Sequence, residues 1–261
     1  MFLDKIGNVE YSHIMKLYYY IILVFIIFIN QSHAKIENSN IIYKLSLKSF
    51  GLSINLGEIN SYFSFNNKTY SLEFTLESNN LVNIIAPIFG TGKVSGLIEN
   101  LAFYPLSYQY EYTRREKTKN TEILFDKSKI LFSKTIPEYD KSKLTPTSPK
   151  MLQNVIDPIT AIIYMGNHEF NNGCSKNYRV YDGKRRYDLK YIDKFEEDGF
   201  LVCKLLQYKV GGFKLNDNEV DAFKPAQEII TYFEIINDEY TLRKIVTKSK
   251  FAKIRIDLDY F

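Results

Sequence analysis

The strongest constraint on this chain is an alternation of apolar and polar side chains, with a period of two residues, that recurs along most of its length. Between positions 69 and 77, Tyr70, Leu72, Phe74 and Leu76 alternate with Ser71, Glu73, Thr75 and Glu77. Successive side chains of a strand point to opposite faces, so this stretch has one face for a core and one for water, as antiparallel sheets do. Similar strand patterns mark residues 41–48, 52–56, 59–65, 93–99, 108–115, 121–126, 129–135, 178–182, 184–192, 200–210, 227–236, 240–248 and 251–261. Turn residues separate several of them: Asn66-Asn67-Lys68, Asp126-Lys127-Ser128, Asp182-Gly183 and Asn237-Asp238-Glu239. Aromatics support the same assignment, with 21 Tyr and 19 Phe and no Trp, since Tyr and Phe favour strands.

Two segments depart from period two. Leu81, Ile84, Ile85 and Ile88 have helical spacing, with Asn79 or Asn80 as the cap, Gly90 as the stop and Pro87 forcing a bend. Asp157-Pro158 is a strong helix start, and Ile159, Ile162, Ile163 and Gly166 would face the core. The expected fold is therefore mainly β: a large curved antiparallel sheet or half-barrel with two short helices packed on its concave face. The apolar helix residues Leu81, Ile84, Ile85, Ile88, Phe89, Ile159, Ile162 and Ile163 have two meanings. They are ordinary core, or they line a cavity for an acyl chain. Residues 134–150 hold Pro137, Pro146 and Pro149 among Lys, Ser and Thr, and read as a mobile loop.

Residues 15–34, MKLYYYIILVFIIFINQSHA, have the layout of a secretory signal peptide. Lys16 gives a basic start, an apolar run follows that is short for a membrane span, and Ser32-His33-Ala34 places small residues where a signal peptidase reads. Cleavage before Lys35 leaves residues 35–261 as a single β-rich domain in the periplasm, not spanning the membrane, with residues 1–34 an upstream extension and signal peptide. The basic start at Met15 makes Met15 a rival to Met1 as the true start, and an uncleaved anchor is the rival to cleavage. The formal net charge of +4 is modest and dispersed, too weak to argue for nucleic acid. Cys174 and Cys203 are the two cysteines. In an oxidising compartment they point to one disulfide, whose loop of about thirty residues is worth about 3–4 kcal/mol in the chain-entropy model; the other reading is two buried free thiols.

Groups for catalysis are sparse. His168 is the one histidine after position 34, beside Glu169. Metal sites draw on several His or Cys ligands, and no Gly-x-Ser-x-Gly accompanies His168 for a triad, so a helix-end role suits it better. Gly90-Thr91-Gly92 lacks the remainder of a phosphate loop and reads as a helix stop and turn. Glu196-Glu197-Asp198 reads as a solvated run. Arg114-Arg115 and Lys184-Arg185-Arg186 are basic spots that meet anionic head groups or are simply solvated strand ends. Asp157, Asp182 and Asp188 are carboxylates available to a polysaccharide-cleaving enzyme, but their spacing in space is not legible. No cofactor is expected.

Three motifs carry a family resemblance. Gly96-Leu97-Ile98-Glu99 followed by Phe103-Tyr104-Pro105-Leu106-Ser107-Tyr108, then Asp157-Pro158-Ile159-Thr160-Ala161, then Val180-Tyr181-Asp182-Gly183-Lys184-Arg185-Arg186-Tyr187 with Cys203 beyond, resemble in order and spacing the exported bacterial proteins of unknown function called DUF3108. The resemblance implies a periplasmic, mostly antiparallel β protein of a Gram-negative bacterium and supplies no catalytic residues. That family often has a Trp near its last strands, which this chain lacks. The expected architecture is also similar to lipoprotein carriers of the LolA/LolB kind. The expectation is a non-catalytic periplasmic protein binding a lipid, a lipoprotein acyl chain or another hydrophobic envelope component. The alternatives are an outer-membrane β-barrel, suggested by the terminal Phe261, and a structural factor that binds an envelope protein.

Overall fold

Two antiparallel meanders meet where the first described strand pairs with the last described one. The computed structural model describes residues 37–49, 52–79, 88–114, 116–169, 172–215, 225–236, 239–248 and 253–259. The segment 15–34, the expected helix residues Leu81, Ile84 and Ile85, and Phe261 lie outside them. The first meander comprises β1 (Glu37–Ser49), β2 (Leu52–Phe65), β3 (Thr69–Ser78), β4 (Ile88–Glu99), β5 (Ala102–Arg114), β6 (Lys117–Asp126) and β7 (Lys129–Ile136). The second comprises β8 (Tyr178–Tyr181), β9 (Arg186–Glu197), β10 (Phe200–Gly211), β11 (Gln227–Ile236), β12 (Glu239–Lys248) and β13 (Lys253–Asp259). Together they form one 13-stranded sheet in the order β7-β6-β5-β4-β3-β2-β1-β13-β12-β11-β10-β9-β8. Every pairing is antiparallel, and β1 meets β13 in the register Tyr43 opposite Leu258 and Leu45 opposite Ile256.

Between the two meanders the chain crosses from one sheet edge to the other. This connection holds α1 (Pro158–Gly166). Asp157 caps it from an extended conformation, accepting from the backbone N–H groups of Ile159 and Thr160, and Pro158 occupies the first turn, where a missing N–H costs nothing. Among the described residues this is the one α-helix, where the sequence spacing predicts two. Ile88, Phe89 and Gly90, assigned by spacing to the end of an earlier helix, belong to β4. The glycine pair at 90 and 92 is therefore strand interior rather than a stop and a turn.

The sheet curls around α1. Tyr70, Val94 and Phe103 of β3–β5 and Val180, Leu189 and Leu205 of β8–β10 share one buried cluster with Ala161, Ile163, Tyr164 and Met165 of the helix. A single short helix touches both meanders only if the sheet wraps about it. That wrapping explains why amphipathic spacing misjudges α1: Thr160, Ala161 and Met165 are buried, while Ile162 is 39 % exposed. A helix on a flat sheet buries one stripe, whereas a helix inside a curl is covered on several sides. The sheet does not close by strand-to-strand bonding. Instead, residues 151–156 form a strap between its edges. Gln153 bridges to Lys129 on β7, and Ile156 pairs in parallel with Val180 on β8.

Candidate functional site

Between α1 and the inner face of the sheet lies an apolar cleft of about 180 Å³. Each strand sends alternate residues to it: Ile41 and Tyr43 from β1, Phe63 and Phe65 from β2, Leu72 from β3, Phe103 from β5, Leu242 and Ile245 from β12, and Leu258 from β13. The helix contributes Ile162 and Ile163, with Gly166 and Asn167 at its end. The cleft thus sits where the two meanders join. Its volume is below the roughly 300–1,000 Å³ of typical small-molecule pockets and near that of a cavity that accepts one benzene ring. It has room for a ring or a short alkyl segment, and a longer chain would have to leave through the mouth beside Ile162.

Polar anchors fix the helix over this cleft. The Thr160 hydroxyl donates to the second Asp157 carboxylate oxygen at 2.6 Å, and the Tyr70 hydroxyl lies 2.8 Å from the same Thr160 oxygen. With the Thr160 proton committed to Asp157, Tyr70 is the donor in the second bond. Asp157 is 0 % exposed; burial pushes its carboxyl up to about 6, against the hydrogen bonds from Thr160 and Ile159 that favour the charged form. At the other end, the Phe103 N–H donates to the Tyr164 hydroxyl, and the two rings meet edge to face at 4.8 Å.

Of the residues singled out from sequence, Ile162 and Ile163 line the cleft. Ile159 packs against two core clusters. Ile88 and Phe89 lie in β4, where Phe89 is 47 % exposed. Cys174 and Cys203 form a disulfide with Cα atoms 6.0 Å apart, within the usual span, and tie the turn beyond α1 to β10. His168 stacks on Tyr240 with ring centroids 3.9 Å apart, and burial, then the nearby Lys194 charge, lowers its pKa. Among the described residues no three His, Cys, Asp or Glu side chains gather as metal ligands. Asp182 sits in the β8–β9 turn, bonded to Arg185 at 2.7 Å, and Asp188 pairs with Arg186 at 2.7 Å. The strand residues of the cleft are legible one strand at a time, as with Leu72 and Leu258, but not as a set.

Two further cavities flank the cleft. A groove of about 770 Å³ crosses the opposite, outward face of β1–β6. Its rows follow the strand register, with Tyr62 opposite Glu73, Glu73 opposite Lys93, Lys93 opposite Gln109 and Gln109 opposite Glu122. Glu73 and Lys93 form an ion pair within it. The third cavity, of about 380 Å³, lies on the inner face near the β8–β9 turn, where Arg185, Tyr187, Gln207, Lys209, Phe213, Ala226 and Gln227 line it.

The family model described as "Protein of unknown function (DUF3108)" matches residues 42–198. No curated protein matches the chain. Among solved structures, the chain is similar to a β-barrel-like protein of domain of unknown function DUF1849 from Brucella abortus, at TM-score 0.46 and 9 % identity, covering 87 % of this chain and 98 % of that one. It is also similar to a DUF1329 family protein from Desulfovibrio piger, at TM-score 0.25 and 8 % identity, over 86 % of this chain and 85 % of that one. The family match spans more than half of the sequence and includes all three motifs except Cys203, so the chain belongs to the DUF3108 family of proteins of unknown function.

Proposed function

We propose that this protein is an exported, non-catalytic binding protein that takes an alkyl segment of a lipid, or of another hydrophobic envelope component, into the cleft beneath α1. The observation that carries this reading is the cleft itself: apolar side chains from six strands and the helix surround it, and Ile162 stands half-exposed at its mouth. The signal-like segment 15–34 and the Cys174–Cys203 disulfide support an oxidising, extracytoplasmic location, the periplasm. The outward rows of Glu73, Lys93, Gln109 and Glu122 favour water over lipid on that face, the reverse of a transmembrane barrel.

The test is native mass spectrometry of protein from the periplasmic fraction, with lipid extraction, alongside uptake of the neutral probe N-phenyl-1-naphthylamine. A bound lipid or saturable uptake is expected. Ile162→Glu should abolish uptake while changing stability by only about 0.5 kcal/mol, because the position is partly exposed. A protein that carries no lipid and takes up no probe overturns the reading.

A further inference from the structure

The outward groove of about 770 Å³ is built on a regular grid. One row of side chains crosses it as Tyr62, Glu73, Lys93, Gln109 and Glu122, each opposite the next on the adjoining strand. A second row, two residues along each strand, runs Asn60, Thr75, Thr91, Glu111 and Asn120. Asn40 and Ile42 of β1 extend the two rows. Ser61, Phe74, Gly92 and Tyr110 lie between the rows in register. Strand alternation turns their side chains to the inner face, where the Phe74 and Tyr110 rings stack with centroids 6.1 Å apart, so their backbone forms the floor of the groove. Both rows lie in the interior of described strands.

We propose that this groove binds an extended, neutral β-1,4-linked glycan lying across the strands. The match is one of repeat distance. Side chains recur along the groove once per strand, roughly every 4.8 Å, and a β-1,4-linked hexopyranose chain is straight and advances by close to that distance per ring. Each ring then lies over one strand, between one side chain of each row. An extended peptide advances about 3.3 Å per residue and falls out of step within a few strands.

The lining chemistry agrees with the spacing. Tyr62 is 44 % exposed and offers its ring to the face of a sugar. Asn60, Thr75, Thr91, Gln109 and Glu122 line the groove, and among the described residues no side-chain hydrogen bond or ion pair engages them. Amides and hydroxyls both donate and accept, as sugar hydroxyls do. Glu73 and Lys93 neutralise one another at 2.5 Å, and Glu111 takes one hydrogen bond from the Asn120 amide at 3.3 Å. The charge left on the lining is that of Glu111 and Glu122, both carboxylates, which disfavours polymers bearing phosphate or sulfate.

Titration calorimetry of the purified protein tests this, with cellohexaose and its N-acetylamino counterpart chitohexaose as straight, neutral probes. Maltohexaose, a coiled isomer of cellohexaose, and hexalysine are the controls. At least one straight hexamer should bind, and more tightly than its own trimer, because more strands are engaged. Tyr62→Ala should weaken that binding by roughly tenfold and Gln109→Ala by roughly threefold. Both positions are exposed, so the variants fold. Failure of both straight hexamers, maltohexaose binding as tightly as they do, or an affinity unchanged by Tyr62→Ala overturns the proposal. So does binding of hexalysine in place of the sugars, which would make the groove a site for basic peptides. The probes have no alkyl part, so the result stands whether or not the cleft on the other face takes up a hydrophobic molecule.

Discussion

Asp157 shows how one side chain sets both local structure and pH response. Its carboxylate caps α1 and receives the Thr160 hydroxyl, yet it is fully buried, and burial outweighs these bonds to raise its pKa from 3.8 to about 6. Between these two values the folded protein holds a proton that the unfolded chain has released. Stability from this group is therefore fully present below pH 3.8 and is lost as pH rises to about 6. The whole effect is on the order of 2–3 kcal/mol. Asp157→Asn keeps an acceptor for the helix N-terminus but cannot ionise. Urea unfolding of both proteins from pH 4 to 7 should show the wild type losing ground against the Asn variant as pH rises. Parallel curves would mean that the carboxylate is better solvated than its burial implies. The Asp-Pro start was legible in the sequence; Tyr70, which bonds the Thr160 hydroxyl from ninety residues upstream, was not, because nothing local in Tyr70 distinguishes it from any other inward strand residue.

At the scale of elements, β4 is the instructive strand. Its glycines make room for aromatic rings from β3: a Cβ at Gly92 would lie 2.2 Å from the Phe74 ring, and one at Gly96 would lie 2.4 Å from the Tyr70 ring and 2.3 Å from the Tyr104 carbonyl oxygen. Glycine inside a strand commonly marks such a close approach. Gly96→Ala should cost about 1–3 kcal/mol, as overpacking does, since the backbone oxygen cannot move aside. Gly92→Ala should cost less, because a ring can turn. Gly90→Ala is the control, with its nearest neighbour at an ordinary 3.4 Å. Thermal or urea denaturation ranks the three, and a Gly96→Ala protein as stable as the control would refute the tight contact. Reading Gly90-Thr91-Gly92 as a helix stop and turn failed for the same reason. Propensity penalises glycine in strands, and the rings that require it come from another strand. The alternating strands β3, β11 and β12 were legible because their pattern is local. By contrast, residues 52–56 and 59–65 form the single strand β2, with an irregularity opposite Leu45 and Ser46 absorbing Leu56.

For the whole molecule, the decisive contacts are between distant parts of the chain and were invisible in sequence: β1 beside β13, and the strap that joins the two sheet edges. The strap's backbone bonds run to both sides. Val155 N–H donates to the Ser128 carbonyl, Ile156 N–H donates to that of Arg179, and Tyr181 N–H donates to that of Ile156, at 3.2, 2.9 and 2.9 Å. Arg186, read from sequence as part of a basic spot, is instead 2 % exposed and holds the strap in place. Its Nε–H donates to the Met151 carbonyl at 3.0 Å, while it pairs with Asp188. Arg179 donates to the same carbonyl at 3.1 Å. Such a strap stands in for the missing β7–β8 ladder and keeps the sheet curled over α1, which is what gives the cleft its walls. If so, the amides of Val155, Ile156 and Tyr181 belong to the most protected class and exchange as slowly as those at the centre of β3. Arg186→Met removes the grip on Met151 and strands the Asp188 charge, a cost of about 3–5 kcal/mol for a broken buried pair. In that variant, hydrogen exchange should accelerate first at the strap amides, with the β1–β3 amides following only at global unfolding. Strap amides that exchange in the wild type as fast as the exposed 66–68 turn would show the edges to be independent of one another, and the curl would then have to come from strand twist alone.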